Sequence, residues 1–136
     1  MSFQLQIVSP ERSLVSEQVD EVEIPGTEGY FGVLPGHTPL LAALGVGVLR
    51  YRQGRDMHYL SIAFGFAEVQ PDLVTFLAQT SEKADDIDLA RAEAAKARAE
   101  QRFARPTIDM DFERARIALL KSLVRLQVAT RARIRS

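Results

Sequence analysis

All eight glycines and five of the six prolines of this 136-residue chain lie before Asp85. Glycine opens backbone conformations that other residues resist, and proline fixes φ and removes a hydrogen-bond donor. Both residues punctuate turns and interrupt helices. Residues 1–84 must therefore turn often, whereas residues 85–136 are free to run as long helices. Charge divides at the same place. Up to Ala84 there are five basic and ten acidic residues, a net of −5; from Asp85 there are twelve and eight, a net of +4. The overall −1 conceals two kinds of structure in one chain.

The first part reads as short strands. Phe3 to Ile7 alternates apolar and polar residues, and the stretch from Ser9 to Arg12 turns it. Glu21 to Ile24 alternates again and stops at Pro25 and Gly26. Val46 to Arg52 is rich in β-branched residues, Gln53 to Asp56 is a hairpin turn, and His58 to Phe64 returns. Ala67 to Val69 and Leu73 to Leu77 follow, divided by a turn at Pro71 and Asp72. Gly45, Gly47 and Gly65 fall inside strand-like runs, as expected of bulges or close backbone approach. Frequent turns between short strands predict a β-sandwich, or flattened antiparallel barrel, over residues 1–84.

The second part reads as two helices. Asp85, Asp86 and Asp88 place acids at a helix start. An alanine-rich run from Leu89 to Phe103 carries a thin apolar stripe of Ala92, Ala95, Ala99 and Phe103, and Pro106 ends it. A second helix starts near Asp109–Asp111 and reaches Thr130 or beyond. One apolar row is Phe112, Ala115, Leu119, Leu123 and Leu126; a second is Ile117, Leu120, Val124 and Val128. The short link predicts an antiparallel hairpin over residues 85–136, so the fold class is α+β. Alanines bury about one methyl group each, so the first helix should be held weakly and the hairpin free to detach.

Between two of the strands, residues 25–41 hold Gly26, Gly29, Gly32 and Gly36 with Pro25, Pro35 and Pro39. Such dense punctuation predicts an ordered loop. From Glu28 to Leu41 it fits the pattern Glu-Gly-x-hydrophobic-Gly-x-x-Pro-Gly-His-x-Pro-Leu-Leu throughout. This stretch resembles the epsilon subunit of bacterial F-type ATP synthases, the delta subunit of the mitochondrial enzyme, and the resemblance covers nearly the whole chain. It implies a sandwich that couples the central gamma stalk to the membrane ring of c subunits. The hairpin would brake ATP hydrolysis by extending toward the alpha/beta catalytic hexamer. Subunit contacts are implied at Glu28, Gly29, Tyr30, Phe31, His37 and Pro39, with Tyr30 standing where relatives often carry an acid.

The resemblance also marks Ile87 to Ala92, which fits Ile/Leu-Asp-x-x-Arg-Ala, a motif in the ATP site of nucleotide-sensing relatives. The implied nucleotide positions are Glu82, Ile87, Asp88, Arg91, Ala92, Arg98, Lys121 and Arg125. Spacing supports a cationic face on each helix: Arg91 with Arg98 on the first, and Arg114, Lys121 and Arg125 on the second. If these faces converge, an anion between them relieves the repulsion. Lys121 stands where the strong ATP binders carry arginine; lysine keeps the charge and loses the bidentate fork. The inhibitory basic face implied by the family is Arg114, Arg116, Lys121 and Arg125, with a basic tail from Arg131 to Arg135.

Other chemistries are disfavoured. His37 and His58 are the only histidines and there is no cysteine, so no metal site, relay or thiolate catalysis is expected. The glycine-rich stretch lacks the Gly-Lys-Ser/Thr of a P-loop. No run approaches the roughly 20 apolar residues that span a bilayer, and no signal peptide is legible at Met1. Nucleic acid is not expected as a partner. The expectation is a non-catalytic, peripheral subunit on the cytoplasmic side of a bacterial plasma membrane. It requires no cofactor, with ATP as a possible regulator. Two rivals are a β-sandwich ligand-binding module and a nucleotide sensor acting outside the synthase.

Overall fold

A computed structural model describes residues 1–105, 107 and 111–135, with backbone alone for 132–135. Seven strands come first: β1 (Phe3–Val8), β2 (Ser13–Val19), β3 (Glu21–Gly26), β4 (Gly29–Val33), β5 (Leu40–Gln53), β6 (Asp56–Val69) and β7 (Leu73–Lys83). A single 3-10 turn (Ala84–Asp86) leads into helices α1 (Leu89–Ala104) and α2 (Phe112–Arg135). The strands pair in the order β2-β1-β7-β6-β5-β3-β4. Every pair is antiparallel except β1 with β7, which run parallel.

The pairing bends over on itself to make the sandwich. β5 and β6 are each 14 residues long, and both change which side faces inward partway along. In β6 the core receives Leu60 and Ile62, then Ala67 and Val69; in β5 it receives Leu44, then Leu49 and Tyr51. The switch falls at Gly45 and at Phe64–Gly65. Phe64 has φ of 64° and Gly65 of 124°, so two consecutive residues leave the extended region. Both halves of each long strand thereby face one core of Phe3, Leu5, Ile7, Val22, Ile24, Val74 and Phe76. β2 closes the far side: the Asp20 amide donates to the Arg52 carbonyl at 2.8 Å, and the Gln53 side chain donates to the Gln18 carbonyl at 3.0 Å.

Residues 25–41 hold more strand than the sequence predicts. β3 continues through Pro25 and Gly26 and pairs with β4 in a hairpin that places Pro25 opposite Tyr30. β5 already begins at Leu40. Glycine and proline read as loop punctuation, yet here they sit at a strand edge and in close approaches. β2 escaped the sequence reading because its burial pattern is irregular, with Leu14 and Val15 both buried.

Gly47 explains one close approach. A Cβ there would collide with the Tyr30 hydroxyl and meet the Pro25 Cβ at 2.6 Å. The β3–β5 register shifts between Glu23 and Gly26. The Val48 amide, beside that shift, donates instead to the Tyr30 hydroxyl at 2.8 Å. A side chain thus fills a gap in the backbone ladder.

The hairpin lies folded against the sandwich. α2 packs on the outer faces of β5 and β6, and α1 packs on α2. A second core joins Val48 of β5 to Ile87, Ala92, Val124, Val128 and Ala129. Ala115, Val124, Val128 and Ala129 are buried, whereas Phe112 of the predicted apolar row is 58% exposed. Asp88 caps α1, its Oδ1 accepting from the Arg91 amide at 3.1 Å, and Asp111 caps α2 by accepting from the Arg114 amide at 3.2 Å. The predicted stop at Pro106 and start at Asp109 lie outside the described residues, as do the side chains of Arg133 and Arg135.

Gly65→Ala places a Cβ against the Leu77 carbonyl at a φ of 124°. It should cost about 2–5 kcal/mol in urea unfolding. Gly32→Ala, with open space around it, should stay within about 0.5 kcal/mol of the parent. Tyr30→Phe strands the Val48 amide and should cost about 1–2 kcal/mol by the same measurement; an unchanged midpoint would show that the hydroxyl does nothing there.

Candidate functional site

The residues proposed for nucleotide contact divide into two groups. Glu82, Lys121 and Arg125 line one cleft with Val46, Ser61, Ala63, Thr80 and Val124, and no α1 residue lines it. Within it the Arg125 guanidinium grips the Glu82 carboxylate, with Nε–Oε1 at 2.6 Å and Nη2–Oε2 at 3.4 Å. The pair is about 30% exposed, so solvent screens it only in part. Lys121 Nζ lies 5.6 Å from the centre of the Phe64 ring. The cleft measures about 50 Å³, far below the roughly 300 Å³ at which small-molecule pockets begin.

The other group sits at the start of α1. Ile87 and Ala92 are buried in the second core, at 3% and 0% exposure. Asp88 serves as the cap, with its Oδ2 3.9 Å from Arg91 Nε. The Arg91 side chain is 86% exposed, and Arg98 is exposed as well. The motif at Ile87–Ala92 therefore anchors and caps the hairpin in this folded-down form. Arg91 and Arg98 stay in solvent, and the cleft cations find protein partners, so the repulsion expected of converging faces does not arise.

The four residues of the basic face are likewise divided. Lys121 and Arg125 face the sheet. Arg114 is exposed, and Arg116 pairs with Glu113 one turn away on the surface of α2. That hydrogen bond, and then the charge of Arg116, hold the Glu113 carboxyl below its usual range. Arg131 adds a third cation, its guanidinium 5.8 Å from the Tyr59 ring.

At the interface residues, Gly29 turns the β3–β4 hairpin with φ of 127° and leaves Glu28 exposed. Phe31 turns inward against the main core, and Tyr30 lies 54% exposed with its hydroxyl engaged by Val48. The Gly36 amide donates to the Pro71 carbonyl at 2.8 Å, which ties this segment to the β6–β7 turn. His37 Nδ1 bonds the Thr38 carbonyl at 2.7 Å, a local turn contact, and Pro39 is exposed.

One surface was missed in the sequence. Ala43, Phe66, Leu77 and Val8 stand opposite one another on four adjacent strands, forming an apolar row on the outside of the sheet. Phe66 is 55% exposed and Leu77 59%, with Leu41 at 69% one step along. A groove of about 540 Å³ runs beside them, lined by Val8, Ser9, Pro10, Phe66 and Leu77. The signal was present: Val74, Phe76 and Ala78 take the buried parity of β7, so Leu77 is an apolar residue on the polar parity. Such a patch marks a contact surface.

Comparison with known proteins agrees with this arrangement. Residues 2–84 match the family model described as ATP synthase, Delta/Epsilon chain, beta-sandwich domain, and residues 85–130 match its long alpha-helix domain. The chain is 50% identical over 127 residues to the ATP synthase epsilon chain of Syntrophobacter fumaroxidans, covering 93% of this chain and 95% of that one. It is 48% identical over 130 residues to the ATP synthase epsilon chain 2 of Syntrophotalea carbinolica, covering 95% and 94%. In fold it resembles a chain of the Euglena gracilis mitochondrial ATP synthase, with a TM-score of 0.79 at 24% identity over 95% of this chain and 81% of that one. A chain of the Tetrahymena thermophila central stalk and c-ring matches with a TM-score of 0.57 at 13% identity, over 97% and 96%. The chain belongs to the delta/epsilon-chain family of ATP synthases, with the non-catalytic role of an epsilon subunit.

Proposed function

We propose that the sandwich couples the central gamma stalk to the ring of c subunits, and that the hairpin brakes ATP hydrolysis. The complex would make ATP from ADP and phosphate by using a proton gradient. This subunit would ride on the rotor without touching the chemistry. The observation that carries the reading is the apolar row of Phe66, Leu77 and Val8, left uncovered by the helices. It is the surface best suited to a permanent partner, and we assign it to gamma. The exposed Glu28–Tyr30 turn and Pro39 are assigned to the ring.

The way the hairpin is held supports a brake. α1 offers the interface mainly alanine, with Ala92 and Ala99 buried, so little apolar area opposes release. A released hairpin would carry Arg114, Arg116, Lys121 and Arg125 toward the alpha/beta hexamer. ATP as a regulator would have to compete with Glu82 for Arg125, because the cleft holds no room for a triphosphate while that pair is closed. Among the described residues no helix is long and apolar enough to cross a membrane. We place the chain peripherally, on the cytoplasmic face of the bacterial plasma membrane, held through its partners.

Phe66→Asp with Leu77→Asp puts two charges into the assigned seat. Binding to purified gamma should weaken by about 30-fold or more by titration calorimetry; unchanged affinity would remove the row from the interface. For the brake, a chain ending at Ala84 is compared with the full chain in the reconstituted catalytic complex, after each is shown to bind gamma. Hydrolysis should rise several-fold with the shorter chain, and equal rates would rule out a braking hairpin.

A further inference from the structure

We infer that the kink at Phe64, together with Glu82, is the sandwich half of a latch that holds the hairpin down by the cations of α2. Phe64 is a bulky residue in the left-handed region, at φ of 64°, where a side chain is rarely tolerated. The pairing of β6 with both neighbours passes from Ala63 directly to Gly65, so Phe64 stands outside both ladders. Its ring lies under Lys121, at 5.6 Å from the ammonium, within cation–π range. One turn further along α2, Arg125 holds Glu82 of β7. Arg131 then lies over Tyr59, also of β6. Three cations of one helix thus meet one carboxylate and two aromatic faces of the sheet.

Glycine would satisfy the backbone at Phe64 without strain, so the conformation alone does not explain the ring. The ring supplies what the small apolar seam at Val124 and Val128 lacks, a contact specific for a cation. Lys121 and Arg125 are withheld from any other acidic surface for as long as the latch is closed. Docking and braking would then exclude each other through the same side chains. That use rests on the function proposed above; the latch itself does not.

The test is amide hydrogen exchange on the isolated full chain, read separately for α2 and for β1 and β7. Phe64→Gly accepts the native φ and should leave the strands protected, while α2 exchanges about two- to fivefold faster. Combining it with Glu82→Gln should raise this to about tenfold. Phe64→Tyr keeps a ring and should restore parental exchange. Lys121→Met should add little on top of Phe64→Gly, because the two remove the same contact. Unchanged α2 exchange in the double variant would overturn the latch, as would a full additional effect of Lys121→Met. A failed brake shows only in hydrolysis by the complex and leaves these exchange rates untouched.

Discussion

The close approach of Gly65 to the Leu77 carbonyl organises the molecule. It lets β6 bend against β7 at a point where any side chain would force them apart. Because of the bend, the inward parity of β6 switches, and Leu60 and Val69 can share one core. The same bend turns two outer faces to different uses. One carries Val46, Val48 and Tyr59 and takes the helices; the other carries Phe66 and Leu77 and remains bare. A straight strand pair could not present two separate faces from so few residues.

The helical half depends on the sandwich far more than the reverse. Among the described residues, the main core contains none from α1 or α2. The second core is a seam of Val48, Ile87 and the inner residues of α2, to which α1 adds Ala92 and a partly buried Leu89. Ion pairs and cation–π contacts therefore carry a larger share of the docking than they would at an interface of leucines. Each such contact contributes on the order of 1 kcal/mol or less. An interface of this kind can be closed and still be opened by a partner of modest affinity.

Much of this was legible in the sequence. The division at Asp85 shows in glycine, proline and charge, the strands at Phe3 and Glu21 show in their alternation, and the strand at Leu73 shows in its apolar run after the Pro71 turn. Less legible was anything that crossed the kink. A constant period of two predicts one buried parity per strand, and β5 and β6 each use both. β4 hid inside a segment whose glycines read as a loop, since the close approach of Gly26 to the Gly29 carbonyl and the Phe31 ring leaves the same residue type as a turn does. The Ile87–Ala92 motif was read for its charges, and the folded-down chain uses its apolar ends and its capping aspartate.

Residue chemistry by itself determined the two-part architecture, the capped helices and the family-wide pattern from Glu28 to Leu41, because these depend on local conformational preference and on short spacing. Tertiary structure alone decided which cations have partners. Lys121 and Arg125 share a helix face with Arg114, but only the first two reach the sheet. Whether a charge finds a carboxylate 43 residues away is set by where β7 ends beneath α2. The exposed row at Phe66 and Leu77 is likewise a product of register between strands. Long-range register is fixed by the whole core at once, so no local stretch of sequence can state it.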